Sequence, residues 1–243
     1  MSGALEAVDL WVSLPVVGDV LRGVSVEARR GEVACLLGPN GSGKTTLLLA
    51  MAGLVRVKRG RVLLDGEDIY SQLPHARRRI GLVFQDPDDQ LFNPTVRDEL
   101  MFALDQLGLT EAEKEERVVR VSRRLGIEGL LERPVHALSF GEKRRVAIAS
   151  ILVYDPDFIL LDEPTANLDA RSVKLLLGTV CQLRREGKAL LVATQDVELA
   201  RVIADRVYVL RDGRVVWSGP PSVPEEVLAE AGLSAEFTGC GEG

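Results

Sequence analysis

Cysteine is scarce in this chain and badly placed for crosslinking: Cys35, Cys181 and Cys240 are odd in number and carry no CxxC spacing. A disulfide or zinc framework is thereby excluded, and a reducing cytosol suits the sequence. A basic excess is missing too, because 30 Lys and Arg face 36 Asp and Glu, for a net charge of −6. Bulk electrostatics therefore give no reason to expect a nucleic-acid partner. The run Arg77-Arg78-Arg79 reads as a local basic patch or as a solvated turn before a strand. Long hydrophobic runs are absent as well: the apolar stretch 47–55 is far shorter than the ~18 residues a membrane span needs. The first basic residue, Arg22, is too late for a charged signal-peptide start. Any link to a membrane is expected to run through a partner. Histidine is reduced to His75 and His136, and no internal repeat is found.

What is present is the composition of a soluble globule with a core: 46% hydrophobic residues and mixed charge over 243 positions, enough for one large or two small domains. Residues 20–28 have a strand pattern, Arg30-Gly31 a turn, and 33–37 (Val-Ala-Cys-Leu-Leu) the continuous apolar run of a strand buried on both faces. A helix over 45–52 follows, stopped by Gly53. Segments 61–64 and 67–70 flank Asp65-Gly66, which supplies the positive φ angles of a tight hairpin. From Pro94 to Tyr154 the pattern is helical. Thr95 caps a helix to about Leu107, and Thr110 with Glu113 makes a capping box for the next. Glu113 with Arg117, and Glu116 with Arg120, fall at i,i+4 on its exposed face and are worth only ~0.3 kcal/mol each.

Beyond Asp155-Pro156 the chain alternates: strand 158–161, helix 171–185, strand 189–193, helix 197–204, strand 206–210. That alternation predicts a parallel sheet. Asp212-Gly213 turns the chain into strand 214–217, and a tail from Pro220 carries one helix over 224–231 and a Gly-rich end. The expected class is α/β, with a mainly parallel core sheet, an antiparallel β subdomain in the front third and an inserted α-helical subdomain at about 86–156. Residues 1–219 form the main domain and 220–243 a tail.

The chemistry concentrates in three places. Gly38-Pro39-Asn40-Gly41-Ser42-Gly43-Lys44-Thr45 fits G-x-x-x-x-G-K-[ST] between a buried strand and a helix. Gly41 and Gly43 let the backbone curl so that N–H groups point inward, and the helix start adds its partial charge, which makes a phosphate cradle. Lys44 would reach the β- and γ-phosphates, Thr45 would sit on Mg²⁺, and Thr46 would meet the α-phosphate. Asp162 ends an apolar strand, so its carboxylate reaches the sheet edge beside that cradle and can hold Mg²⁺. Glu163 is then placed as general base for an attacking water, or alternatively as a salt-bridge partner. Between these halves lies Leu138-Ser139-Phe140-Gly141-Glu142.

The glycine loop, Gln85, residues 138–142, Asp162-Glu163 and Asn167-Leu168-Asp169 together resemble an ATP-binding-cassette (ABC) ATPase over residues 4–219. The resemblance implies a P-loop cassette that binds ATP and Mg²⁺ and pairs head to tail with a second ABC subunit. The 138–142 segment of one subunit would then cap the γ-phosphate held by the other, with nucleotide contacts from Ser139, Gly141, Glu142 and Asp169. Gln85 would sense Mg²⁺ and the attacking water. The family usually has two glycines where this chain has Phe140-Gly141, read here as a tolerated variant. Residues 86–92 with Thr95-Val96 are similar to the energy-coupling-factor branch, which powers vitamin or cobalt and nickel importers. That implies integral membrane partners, a groove for their cytoplasmic helix, and a peripheral place on the cytoplasmic face of the membrane.

Two departures bear on activity. The family's switch histidine falls on Gln195, which can donate an amide N–H to a γ-phosphate oxygen but carries no charge. Losing one such donor costs ~10²–10³ in rate. Either Gln195 donates well enough, or the subunit forms a weak site in a pair whose partner is competent. The adenine platform is equally open: Trp11 is the aromatic available, as stacking residue or core residue, while the register of Asp9-Leu10 points nearer Val12 or Leu14. A non-transport ABC protein or a nucleotide-dependent scaffold remains as an alternative class.

Overall fold

A computed structural model describes residues 3–233. Cys240 and the Gly-rich end of the tail lie outside the described residues. The chain runs β1 (Ala4–Leu14), β2 (Gly18–Arg29), β3 (Val33–Leu37), α1 (Lys44–Met51), β4 (Arg59–Leu64), β5 (Glu67–Asp68), α2 (His75–Arg78), β6 (Ile80–Val83), α3 (Val96–Phe102), α4 (Glu111–Leu125), α5 (Phe140–Leu152), β7 (Phe158–Asp162), α6 (Ala170–Arg185), β8 (Ala189–Thr194), α7 (Val197–Ile203), β9 (Arg206–Arg211), β10 (Arg214–Gly219) and α8 (Glu225–Ala231).

The central sheet has the order β10-β9-β3-β8-β7-β6, with five parallel strands and β10 antiparallel at one edge. Every residue of β3, β7 and β8 is buried. The reason is visible in the two cores. Cys35, Leu37, Ile159, Leu161, Leu190 and Val192 pack on one face against the helices, while Leu36, Leu160, Leu191 and Ala193 pack on the other against α1 and the second sheet. A period of two with both faces covered reads as continuous apolar sequence. Burial also pushes the Cys35 thiol up to about 12 and leaves it unreactive.

The second sheet, β2-β1-β4-β5, is antiparallel. Its Asp65-Gly66 turn has both residues at positive φ, 54° and 85°, as does Asp212-Gly213 at 47° and 74° between β9 and β10. Strand β1 does not show in the sequence as an alternating pattern, because the register slips between Ala7 and Leu10, where Asp9 takes a φ of 48°. In the helical region α3 stops at Phe102 rather than running to Leu107, where a short 3₁₀ turn at 105–107 precedes Gly108 at φ 69°. Thr110 and Glu113 form the expected capping box of α4, and this consumes Glu113: its carboxylate accepts from Thr110 N and Oγ1 at 2.8 Å each. Arg117 acts on it only through its field, whereas Glu116 and Arg120 do pair at 3.6 Å.

The basic run at 77–79 is neither a free patch nor a merely solvated turn. Arg77 donates to the Gly53 carbonyl at 2.8 Å, and Arg79 pairs with Asp65 and, at 2.7 Å, with Asp157. Asp157 also takes Arg30 at 2.7 Å, and both guanidinium groups lie over the Phe158 ring, at 5.3 and 5.8 Å. This cluster ties β2, β6 and the start of β7 together beneath the sheet. Burial raises the Asp157 carboxyl, but hydrogen bonds from Arg30 and Arg79 outweigh it and hold the group below its usual range. A lowered folded-state value stabilises the fold above the ordinary carboxylate range and stops doing so as pH falls through the lowered value. Asp157→Ala is expected to cost ~1–3 kcal/mol in urea unfolding at neutral pH. The gap to wild type stays constant from pH 6 to 8 and narrows below about pH 4.

Candidate functional site

Because β3, β6, β7 and β8 are parallel, their carboxyl ends share one edge, and each delivers a functional segment there. Strand β3 runs into the glycine loop, β7 ends on Asp162, β8 ends on Thr194, and β6 leads to Gln85. A cleft of about 470 Å³ at this edge is lined by Asn40, Gly41, Gly43, Lys44, Thr45, Thr46, Gln85, Asp162 and Glu163, with Leu14, Val17 and Val20 as an apolar wall.

Helix α1 begins at Gly43, whose φ of 106° only glycine adopts readily, and an added Cβ there would sit 2.9 Å from Leu21 Cδ2. Unlike α3, α4, α5, α6 and α7, which carry side-chain caps from Thr95, Thr110, Ser139, Asp169 and Asp196, α1 has no side-chain cap and no acidic residue in its first turn. Its first N–H groups are therefore left for an anion. Lys44 is almost fully buried, and its ammonium is held by the Gly38 and Pro39 carbonyls at 2.7 and 3.1 Å and by Glu163 Oε1 at 3.3 Å.

Thr45 Oγ1 donates to Asp162 Oδ2 at 2.6 Å, so the two oxygens that a cation would share already touch. Asp162 Oδ1 is buried with no partner. Burial pushes the Asp162 carboxyl above its usual range, and the Thr45 hydrogen bond and the charges of Lys44 and Arg144 only partly oppose this. A divalent cation would relieve that cost and use the orphaned oxygen, so the residues fit Mg²⁺. No group of three His, Cys, Asp or Glu suited to holding a metal exists among the described residues. Such an ion would take the rest of its shell from phosphate and water, as Mg²⁺ commonly does.

Glu163 adopts φ 40°, a strained value for a side-chain-bearing residue, worth of order 1–3 kcal/mol. Its Oε2 accepts from Thr194 Oγ1 at 3.1 Å, and Thr194 Oγ1 in turn accepts from Asp196 N at 3.0 Å. Thr194 is fully buried, and sequence reasoning does not single it out. The available signal is a hydroxyl at the carboxyl end of an apolar strand, the same station that Asp162 holds on β7. Gln195 is exposed in the bend after β8 and does not line the cleft.

Ser139, Gly141, Glu142 and Asp169 are brought together, but elsewhere. They line a second concavity of about 500 Å³ with Asn167 and Arg171, and it shares no residue with the first. Ser139 caps α5, and Glu142 closes the capping box, accepting from Ser139 N at 2.8 Å and Oγ at 2.9 Å. The Ser139 N–H, then its hydroxyl, hold the Glu142 carboxyl below its usual range. Asp169 caps α6 by accepting from Ser172 N at 2.7 Å. Trp11 is not among the cleft residues. Its indole N–H donates to Asp9 at 3.1 Å and its ring lies 6.0 Å from both Arg59 and Arg214, so the wall near the glycine loop comes from Leu14, Val17 and Val20 instead.

A parallel sheet feeding a glycine-loop phosphate cradle, with a Thr–Asp pair for a cation and an adjoining carboxylate, defines a P-loop nucleotide-binding protein. Residues 21–166 match the family model described as ABC transporter, and the chain belongs to the ABC transporter family as an ATP-binding subunit. It is 42% identical to the energy-coupling factor transporter ATP-binding protein EcfA of Methanocaldococcus jannaschii, over 93% of this chain and 81% of the relative. The EcfA protein of Methanococcus maripaludis is 40% identical over 89% of this chain and 79% of its own length. Among solved structures, cbiO1 from Clostridium perfringens, part of the ABC transporter complex cbiONQ, superposes with a TM-score of 0.80 at 38% identity, over 93% of this chain and 90% of that one. Within the family, the chain thus resembles proteins named as energy-coupling factor transporter ATP-binding subunits.

Trp11→Ala is expected to leave the ATP dissociation constant within about twofold by isothermal titration, whereas Lys44→Ala weakens it by at least tenfold, about 1.4 kcal/mol. Equal losses from both changes would return Trp11 to the site.

Proposed function

We propose that this chain is the MgATP-binding and hydrolysing subunit of an importer of the energy-coupling-factor type, that it pairs head to tail with a second ABC subunit, and that it sits peripherally on the cytoplasmic face of the cell membrane. One observation carries the reading: the phosphate cradle and the Ser139 segment line separate concavities with no residue in common. On this reading the two concavities face different nucleotides. A twofold arrangement sets each cradle against the other subunit's Ser139 and completes two sites at once. The names of the relatives support the importer branch, whose cargo is a vitamin or cobalt and nickel. No helix of the described residues is long and apolar enough to cross a membrane, so integral membrane subunits supply the path. Residues 1–219 act as the cassette, with 86–156 as its helical insert and 220–243 as a tail.

In this reading the N–H groups at the start of α1 and the Lys44 ammonium hold the β- and γ-phosphates. Thr45 and Asp162 would hold Mg²⁺, which would supply neutralisation of the phosphate charge. Glu163 Oε2 is anchored by Thr194, and Oε1, released by Lys44 as that ammonium turns to the phosphates, takes the proton of the attacking water. Gln85, which also lines the cleft, orients that water. Ser139 Oγ and the Gly141 N–H meet the γ-phosphate bound by the partner, with Asp169 beside them. A second reading, a weak site in a pair whose partner is competent, is favoured by Gln195.

Glu163→Gln should lower turnover ~10²–10⁴-fold while MgATP binding persists and the chain elutes as a nucleotide-dependent dimer. A Glu163→Gln protein that hydrolyses like wild type, or never dimerises with MgATP, overturns the proposal. Gln195→His separates the two readings: a rise of ~10²–10³ in turnover marks a weak native site, and no gain marks a competent one.

A further inference from the structure

Arg144 is the largest fully buried side chain among the described residues, 1% exposed, and no carboxylate of those residues pairs with it. Its Nη1 donates to the Phe84 carbonyl at 2.6 Å and its Nη2 to the Gln85 carbonyl. The guanidinium carbon stands 5.5 Å from the centroid of the Phe140 ring, and Nε has no partner. Burial lowers the Arg144 pKa, and the fields of Asp86 and Asp162 oppose that shift. A buried cation fixed on two successive carbonyls is a costly arrangement that persists only where the geometry is strongly determined.

The same face of α5 grips this loop at each turn. Lys143 pairs with Asp88 at 2.5 Å, and Gln90 Nε2 donates to the Ala147 carbonyl at 2.8 Å and to Ser150 Oγ at 3.0 Å. Gln90 Oε1 in turn accepts from Phe84 N at 3.2 Å, which closes the loop on itself. Positions 140, 143, 144, 147 and 150 follow the three-and-four spacing of one helix face. Gly81 in β6 lets α5 approach, since an added Cβ would lie 2.8 Å from Ile151 Cδ1. Ser139 stands at the start of this helix. The loop bearing Gln85 is thus fastened to the helix bearing Ser139 by side chains at three successive turns.

We propose that Arg144 is a positioning residue that locks the Gln85 loop to the Ser139 helix as one lever, so that the chain's own nucleotide cleft and the segment it offers its partner's nucleotide are set together. This rests on the reading of Ser139 as a group acting in trans. It also gives Phe140 a use: the ring covers the guanidinium from the side where a second glycine would leave it open.

Hydrogen exchange on the full chain tests the mechanical link without any activity. In Arg144→Met the amides of 84–90 and of 139–143 should exchange about tenfold faster together, while those of 44–51 are unchanged. Faster exchange at 84–90 alone, or at neither segment, overturns the link. Steady-state ATPase with the membrane partners tests the consequence. Arg144→Met should lower kcat ~10–10²-fold with KM for ATP within about twofold, and Arg144→Lys, which keeps the charge but loses the planar fork, should recover only part. An unchanged kcat, or a rise in KM equal to the fall in kcat, overturns the positioning role. If Arg144→Met does not fold, Phe140→Leu removes the ring alone and must loosen both segments for the proposal to stand. A wild-type protein with no turnover in the full complex would sink the transport reading, while the exchange result still decides the link.

Discussion

Burial of both faces of the parallel sheet governs the placement of nearly everything else. Strands β3, β7 and β8 have no exposed residue, so no charge can be accommodated along their length. Polar chemistry is forced to the strand ends. At the amino edge this produces the Arg30–Asp157–Arg79 cluster, which is structural. At the carboxyl edge it produces Asp162, Glu163, Thr194 and the glycine loop, gathered around a cleft. The difference between the edges is one of satisfaction. Asp157 is fully matched by two cations, while Asp162 Oδ1 is buried without a partner and Glu163 Oε1 has only the Lys44 ammonium at 3.3 Å. Unsatisfied buried oxygens mark where a ligand would complete the set.

This separation explains which parts of the molecule are legible in the sequence. The sheet strands can be read because two-sided burial writes itself as an unbroken apolar run, and the glycine loop because φ values of 79° and 106° at Gly41 and Gly43 restrict the residue type. The capping box at Thr110 is equally visible, since it is a local arrangement across three residues. Strand β1 and the end of α3 are not, because a bulge at Asp9 breaks the alternation and Gly108 ends a 3₁₀ turn that composition does not distinguish from helix. Among site residues, Thr194 and Arg144 escape sequence reasoning for a different reason. Neither belongs to a motif, and each owes its place to partners more than 30 residues away, Glu163 in one case and Phe84 with Gln85 in the other.

Of the two readings open for Trp11, stacking residue or core residue, the cleft lining favours neither ring stacking nor a direct contact. An aromatic ahead of the first core strand invites a stacking role, yet the cleft wall is aliphatic, and the Trp11 ring is occupied by Arg59 and Arg214 with its N–H on Asp9. Leu14, Val17 and Val20 offer a nucleoside apolar contact without ring stacking. Such a wall contributes area but little direction. Orientation of the nucleotide then depends on its phosphates, and hence on the uncapped start of α1.

The missing histidine falls under the same division between contact and positioning. A residue at position 195 could serve the γ-phosphate directly, or it could hold Glu163 in place. The second duty is already discharged here: Thr194 binds Glu163 Oε2 and is itself held by Asp196 N, so both neighbours of Gln195 fix the Glu163 carboxylate without it. The strained φ of Glu163 is over-determined in the same way, by Thr194 on the side chain and by the Ala193 carbonyl, which accepts from Glu163 N at 2.9 Å. Glutamine in place of the histidine therefore leaves the Glu163 carboxylate held as it is, whatever position 195 does for a phosphate. If the proposed head-to-tail pairing holds, any cost would fall on transition-state charge, a term that a helix start such as that of Ser139 can also supply.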